Sequence, residues 1–229
     1  MLGKYRRFNS RPESSSSPTT MLPPNYPRHP SDIRSVLHWL HRASQYRLPE
    51  ELLTAILHQA NYDCLHITAN VKGHNERRSY GPETKAIPYV ETTPLRYLKD
   101  DMNKDWTGRV RKITLKAKGK DQGWFTNKGT ESWSWFEVGR TKQIHVVALE
   151  GSGDKVKRGP CWARNPVSGE DWTLHEEVFD VDEVGGEMKE WMESLENGHK
   201  ISIVPMARYR EWRCQVEEAS VDVEIEVWR

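Results

Sequence analysis

The segment VDVEIEVW, residues 221–228, decides the fold, because apolar and polar side chains alternate along it without a break. Val221, Val223, Ile225 and Val227 fall on one face, and acidic residues occupy most of the other. A period of two is typical of a β-strand with one buried face. The sequence therefore predicts a strand near the end of the chain, with a dry face against a core and an acidic face towards solvent.

A second alternating segment carries the opposite charge. In residues 112–118, KITLKAK, the apolar side chains alternate with three lysines and one threonine. Carboxylates that line one face of a strand repel each other, and a basic neighbour would relieve this repulsion through cross-strand pairs. We therefore expect the lysine face of residues 112–118 to lie beside the acidic face of residues 221–228 in one sheet.

Strands separated by turns predominate in residues 108–229, with one helix inserted between them. The helix is predicted from Met188, Trp191, Met192 and Leu195, whose spacing places them on one helical face. A parallel sheet would need a helix between most strands, and that pattern is missing. The sequence predicts a mainly β domain over 108–229, an antiparallel β-sandwich of jelly-roll or galactose-binding-like type with N-terminal helices.

The region before the sandwich divides into three parts. Residues 1–31, rich in serine and proline, are predicted to be a disordered tail. Residues 32–62 contain two amphipathic helices, the first capped by Ser31 and the second opening at Leu48-Pro49, which would form a helical cap on one end of the sandwich. Residues 63–107 are predicted to be an irregular connection.

Composition limits the classes of partner. The formal net charge is +1, but residues 170–229 hold 17 acidic and 6 basic residues, a net of −11, so the remainder carries +12. The basic residues form no concentrated stripe, which does not favour nucleic acid as a partner. No apolar run approaches the ~18 residues of a membrane span. Three widely spaced cysteines and no visible secretory signal predict an intracellular protein, cytoplasmic or nuclear.

Two resemblances extend this interpretation. Residues 47–57, RLPEELLTAIL, resemble the opening helix of an F-box, and this likeness covers one helix. Residues 46–229 resemble a family of uncharacterised fungal proteins through Asp-Gln-Gly-Trp at 121–124, Ser-Trp-x-Trp-Phe-Glu at 132–137 and the closing pattern at 195–212. The F-box resemblance implies that a partner is contacted by Leu48, Pro49, Leu52, Leu53 and Ile56. The fungal family implies no named activity.

Ten tryptophans make aromatic stacking a candidate binding chemistry. The candidate ligand-binding residues combine rings with hydrogen-bonding and cationic side chains: Asp121, Gln122, Trp124, Trp133, Trp135, Asn165, Arg208 and Trp212. The same rings also suit packing between two sheets, Asp121 suits capping of a turn, and the arginine suits pairing with the acidic strand. The sequence leaves both interpretations open.

Sequence motifs for catalysis are missing. The sequence contains no Gly-x-Ser-x-Gly elbow, phosphate-binding loop, dinucleotide fingerprint or His-Glu-x-x-His motif. Cys64-x-His66 lacks a second pair at zinc spacing. His175 stands beside two glutamates, in what we expect to be a surface loop. We therefore expect no catalytic residue, no metal ligand and no cofactor.

Three hypotheses of function follow. The first is a non-enzymatic binding or interaction module, including an F-box-like adaptor, whose partner is a protein or a small polar ligand. The second is a carbohydrate-binding, lectin-like domain. The third is an enzyme whose site no motif reveals, since sites assemble in three dimensions.

Overall fold

The computed structural model describes residues 27, 29–77, 86–98, 107–122, 133–142, 156–167, 171–209 and 212–228. Within them the chain forms three helices and eight strands. The helices are α1 (Pro30–Ala43), α2 (Glu50–Gln59) and α3 (Gly186–Glu193). The strands are β1 (Cys64–Arg77), β2 (Val90–Glu91), β3 (Thr107–Lys120), β4 (Ser134–Lys142), β5 (Lys157–Arg164), β6 (Thr173–Asp180), β7 (His199–Ala207) and β8 (Cys214–Trp228).

Two antiparallel four-stranded sheets form the body of the protein, which confirms the predicted mainly β fold. Sheet I has the strand order β1-β8-β3-β6, and sheet II has the order β2-β7-β4-β5. One hydrophobic cluster takes buried side chains from both sheets, including Ile113 and Val223 of sheet I and Phe136 and Ile203 of sheet II. Burial of these apolar surfaces is the main stabilising force between the layers.

β8 occupies an inner position of sheet I, and its predicted alternation is confirmed. Val221, Val223 and Ile225 are almost completely buried. β8 pairs with β1 along one edge and with β3 along the other over most of its length. The residues of its opposite face are only partly exposed, because charged side chains from both neighbouring strands lie against them.

The predicted pairing between the lysine face and the acidic face is also confirmed. Lys112 lies opposite Glu224, and its Nζ is 2.7 Å from the Glu224 Oε1. Lys118 Nζ is 2.5 Å from the carboxylate of Glu217, which also belongs to β8. Lys116 turns the other way and pairs with Glu176 of β6 at 2.8 Å. The lysines of β3 therefore neutralise carboxylates on both of its neighbours.

Residues 64–77, predicted to belong to an irregular connection, instead form β1 at an edge of sheet I. β1 runs antiparallel to β8, with Ala69 opposite Val221. Leu65 and Ala69 are buried between the sheets, while Thr68 and Asn70 face outwards. The alternation of apolar and polar residues was present over 65–72, but the polar stretch that follows to residue 85 obscured it. The same predicted connection also contains β2, which pairs with β7.

β7 is an inner strand of sheet II, and it contains Pro205. β7 continues to Ala207, and Pro205 lies opposite Phe136 of β4. β2 pairs with β7 only at Ile203 and Ser202. Proline has no N–H to donate, so it is tolerated beyond the point where the ladder with β2 stops.

The inserted helix α3 confirms another prediction. Met188, Trp191 and Met192 are buried, and Leu195 is buried directly after the helix ends. Gly198 follows with φ of 83°, a left-handed conformation that glycine adopts without steric cost.

The N-terminal helices lie where the sequence predicted them, with a different cap. α1 begins at Pro30, so the predicted N-cap Ser31 is inside the first turn and His29 takes that role. The His29 ring accepts a hydrogen bond from the Ser31 N–H, and Asp32 accepts one from the His29 N–H. The rest of the predicted tail, residues 1–26 and 28, lies outside the described residues.

The cross-strand charge pair yields the first prediction. Lys112→Glu would place a third carboxylate between Glu224 and Asp180, which lie opposite Lys112 on β8 and β6. We expect it to lower the free energy of unfolding in urea by about 1 kcal/mol. The double variant Lys112→Glu/Glu224→Lys should recover most of that loss.

The exposed pair Lys142–Glu196 provides the control, since both side chains are more than half exposed. Lys142→Glu should change the free energy of unfolding by less than about 0.5 kcal/mol. Equal losses at Lys112 and Lys142, with no recovery in the swap, would contradict the proposed role of the pair in sheet I.

Candidate functional site

Helix α2 carries apolar side chains on two different faces. Leu53 is 1% exposed and Leu57 is also buried, whereas Leu52 is 52% exposed and Ile56 is 42% exposed. Residues four apart lie on the same side of a helix, one turn from each other. A helix that packs only against a core needs one apolar face, which Leu53 and Leu57 provide. The other apolar face of α2, with Leu52 and Ile56, is exposed at the surface.

The exposed face extends to the start of the helix. Leu48 is half-buried, Pro49 is exposed, and Pro49 occupies the N-cap position of α2. Leu52 and Ile56 are four residues apart within the helix, so they lie one turn from each other, while Leu48 and Pro49 precede the first helical residue, Glu50. We call Leu48, Pro49, Leu52 and Ile56 the α2 stripe. Of the five residues predicted to contact a partner, Leu53 is placed instead in the interior.

Acidic side chains border the stripe at one end. Glu50 and Glu51 occupy the first turn of α2 and are exposed. Carboxylates are favourable there because the N-terminus of a helix carries partial positive charge. The surface therefore offers aliphatic contacts beside a negative rim.

Two of the predicted ligand-binding residues, Asp121 and Asn165, are 1% exposed. Asp121 Oδ1 accepts a hydrogen bond from the Gln122 N–H at 2.7 Å, and the rest of the predicted turn, residues 123 and 124, lies outside the described residues. Asn165 Nδ2 donates to the Ser134 Oγ at 3.0 Å. The polar atoms of these residues are thus used inside the sandwich and do not face solvent.

Asn165 is the centre of a buried network that joins the two sheets. It follows β5 and contacts Ser134 of β4, both in sheet II. Its Nδ2 also lies 3.4 Å from the Cys214 Sγ, and its Oδ1 lies 3.1 Å from the His175 Nε2, both in sheet I. Satisfied polar groups of this kind fix the relative position of packed layers, since leaving one unpaired is costly.

The grouping of cysteine, histidine and asparagine resembles a nucleophilic site in composition only. Burial raises the pKa of the Cys214 thiol to about 12, so it is protonated at neutral pH. Burial also lowers the pKa of His175. His175, with Glu176 and Glu177, belongs to strand β6 and not to the expected surface loop. The network therefore has the chemistry of a structural core.

A second group of predicted residues meets at the surface. The rings of Trp133 and Tyr209 have centroids 5.1 Å apart, and the Arg208 guanidinium carbon lies 4.7 Å from the Trp133 centroid. The backbone N–H of Arg208 donates to the backbone carbonyl oxygen of Trp133, and the backbone N–H of Trp212 donates to that of Tyr209. The stacking of the Arg208 guanidinium on the Trp133 ring therefore occupies that face of the ring with a cation of the same chain.

Trp135 makes separate contacts on sheet II. Its Nε1 donates to the Glu137 Oε1 at 2.8 Å, and the same carboxylate binds Arg158 in a bidentate pair. Trp124 lies outside the described residues. The structure therefore divides the predicted ligand group among buried polar residues, an arginine–aromatic stack and a largely buried ion pair of Glu137 with Arg158.

Comparison with protein-family models and with curated proteins gives no match. Among the described residues, no three His, Cys, Asp or Glu side chains are placed to hold a metal ion. No helix in that part of the chain is long and apolar enough to cross a membrane.

Thiol reactivity tests the buried network. Cys64 and Cys214 are buried and Cys161 is exposed, and burial raises the pKa of Cys64 to about 12 as well. We expect an aromatic disulfide reagent to titrate one thiol per folded chain near neutral pH, and all three in denaturant. Cys161→Ser should remove the reaction of the folded protein. Rapid native labelling of Cys214 would contradict its place in the interior.

The lowered pKa of His175 predicts a pH dependence. Below the ordinary histidine pKa of 6.5, the unfolded chain binds a proton that the folded chain does not, so stability is lost as the pH falls from 6.5 towards the lower folded pKa. The loss for one histidine cannot exceed about 1.4 kcal/mol per pH unit. His66 and His199 act in the same direction. In urea unfolding at several pH values, His175→Gln should show a shallower loss, and an unchanged slope would contradict this account.

Proposed function

We propose that this chain is a non-enzymatic protein-interaction module whose α2 stripe docks on a partner. The observation that supports the proposal is the double apolar character of α2, with Leu53 and Leu57 in the interior and Leu52 and Ile56 at the surface. Aliphatic side chains one helical turn apart are the anchors by which helices bind apolar grooves.

The chemistry of the surface specifies the partner. A groove lined by aliphatic or aromatic side chains would receive Leu52 and Ile56, and a basic rim would face Glu50 and Glu51. Charge pairs at the rim orient the complex, while the desolvated anchors supply most of the affinity. An F-box-like adaptor is one version of this proposal, in which a ubiquitin-ligase scaffold subunit provides the groove.

The chain differs from a complete F-box after α2. A complete F-box continues through two further helices, but β1 begins at Cys64, shortly after α2 ends at Gln59. What supports docking is therefore the α2 stripe itself, with the half-buried Leu48 and exposed Pro49 at its start.

Aspartate substitutions on the stripe test the proposal. Leu52→Asp/Ile56→Asp replaces both anchors with charges that a dry groove cannot solvate, so capture of a partner should fall by about tenfold or more. The measurement is quantitative affinity capture from cell extract, followed by titration with each purified protein that is lost and, in parallel, with a purified ubiquitin-ligase scaffold subunit.

Ile87→Asp/Val178→Asp is the matched control, because these side chains are 40% and 54% exposed and neither belongs to α2. Both double variants should unfold at temperatures near that of the wild type, since no buried group is changed. If every purified protein binds the two double variants equally, the stripe is not a docking surface.

A further inference from the structure

A groove of about 430 Å³ crosses the outer face of sheet I, on the side away from the hydrophobic core. Its volume is within the range of about 300–1,000 Å³ that small-molecule sites occupy. All four strands of sheet I contribute to it: Thr68 and Asn70 from β1, Ser220 and Asp222 from β8, Lys116 from β3 and Glu176 from β6.

The strand register explains why the surface is concave. One row of directly paired residues crosses the sheet as Asn70, Ser220, Lys116 and Glu176. Ser220, the shortest side chain in that row, lies on an inner strand, while longer side chains stand on both sides. The depression therefore follows from residue size along one row of the ladder.

The charges that line the groove are balanced. Three lysines and three carboxylates face it: Lys72, Lys116, Lys118, Glu176, Glu218 and Asp222. Lys116 Nζ is 2.8 Å from Glu176, and Lys72 Nζ is 3.3 Å from Glu218. A charged ligand would have to break or compete with these pairs, whereas an uncharged ligand can use the N–H groups and lone pairs that each pair leaves over.

The centre of the groove offers further hydrogen-bonding groups. Within the part of the chain that the structure describes, neither the side-chain amide of Asn70 nor the hydroxyl of Ser220 makes a hydrogen bond. Thr68 Oγ1 donates to the Asp222 Oδ1 at 2.6 Å, which leaves the second carboxylate oxygen to accept from a ligand. At the edge, Leu174 is 61% exposed and forms an apolar wall.

We propose that this groove binds an uncharged oligosaccharide. Sugar hydroxyls both donate and accept hydrogen bonds, so they match the interleaved amide, hydroxyl, ammonium and carboxylate groups of the floor. The C–H face of a sugar ring matches Leu174. This site shares no residue with the tryptophan-based carbohydrate site predicted from sequence, and it is independent of the α2 stripe.

The test uses the full chain and neutral probes. Trisaccharides of glucose, mannose, galactose and N-acetylglucosamine are titrated by calorimetry and by amide NMR, with sialylated and sulfated sugars as charged probes. We expect one neutral class to bind, to shift amides in residues 68–72, 116–118 and 218–222, and to keep its affinity between about 0.05 M and about 0.5 M salt.

Asn70→Ala/Ser220→Ala should weaken that binding about tenfold, the loss expected for two hydrogen bonds, without changing the thermal unfolding temperature. Thr114→Ala is the control, because Thr114 lies on the same face of β3 as Lys116 but does not line the groove. Leu52→Asp/Ile56→Asp should bind sugar normally, which separates this proposal from the docking function. Binding of charged probes alone, equal binding by the double-alanine variant, or no neutral ligand for the folded chain would overturn the inference.

Discussion

The structure depends on the burial of one face of β8. This strand pairs on both edges, so β1 and β3 take their register from it, and β6 takes its register from β3. A shift of one residue would turn Val221, Val223 and Ile225 towards solvent and bring the carboxylates between them into the core. That cost is several kcal/mol, since each large aliphatic side chain contributes about 1.5–3 kcal/mol on burial.

The same constraint organises the outer face of sheet I. Once the apolar side chains of β8 point inwards, its acidic side chains must share the opposite face, where they would repel each other. The lysines of β3 relieve this repulsion, and Lys116 extends the pairing to β6. A surface of matched charges with the short Ser220 at its centre is the result, and the proposed sugar groove is a consequence of how the strand is stabilised.

The interior adds a polar constraint to the apolar one. Apolar packing alone would let two sheets slide, whereas the Asn165 network links β4 of one sheet to β6 and β8 of the other through directional contacts. The two proposed binding surfaces lie outside this core. The α2 stripe is aliphatic beside an acidic rim and the groove is polar and neutral, so the two surfaces suit different classes of partner.

The sequence by itself determined the elements whose side chains have strong contrast. Alternation predicted β8, β3 and their charge pairing, and helical spacing predicted α2 and α3. The polar stretch after residue 71 obscured the alternation of β1, and with it the placement of Thr68 and Asn70 in the groove. Only tertiary structure decided that Leu53 is interior while Leu52 is exposed, and that Asp121 and Asn165 serve the core. The periodicity of a sequence indicates which side chains share a face of a helix or strand. Whether that face is buried depends on the element that packs against it, and that element comes from a distant part of the chain.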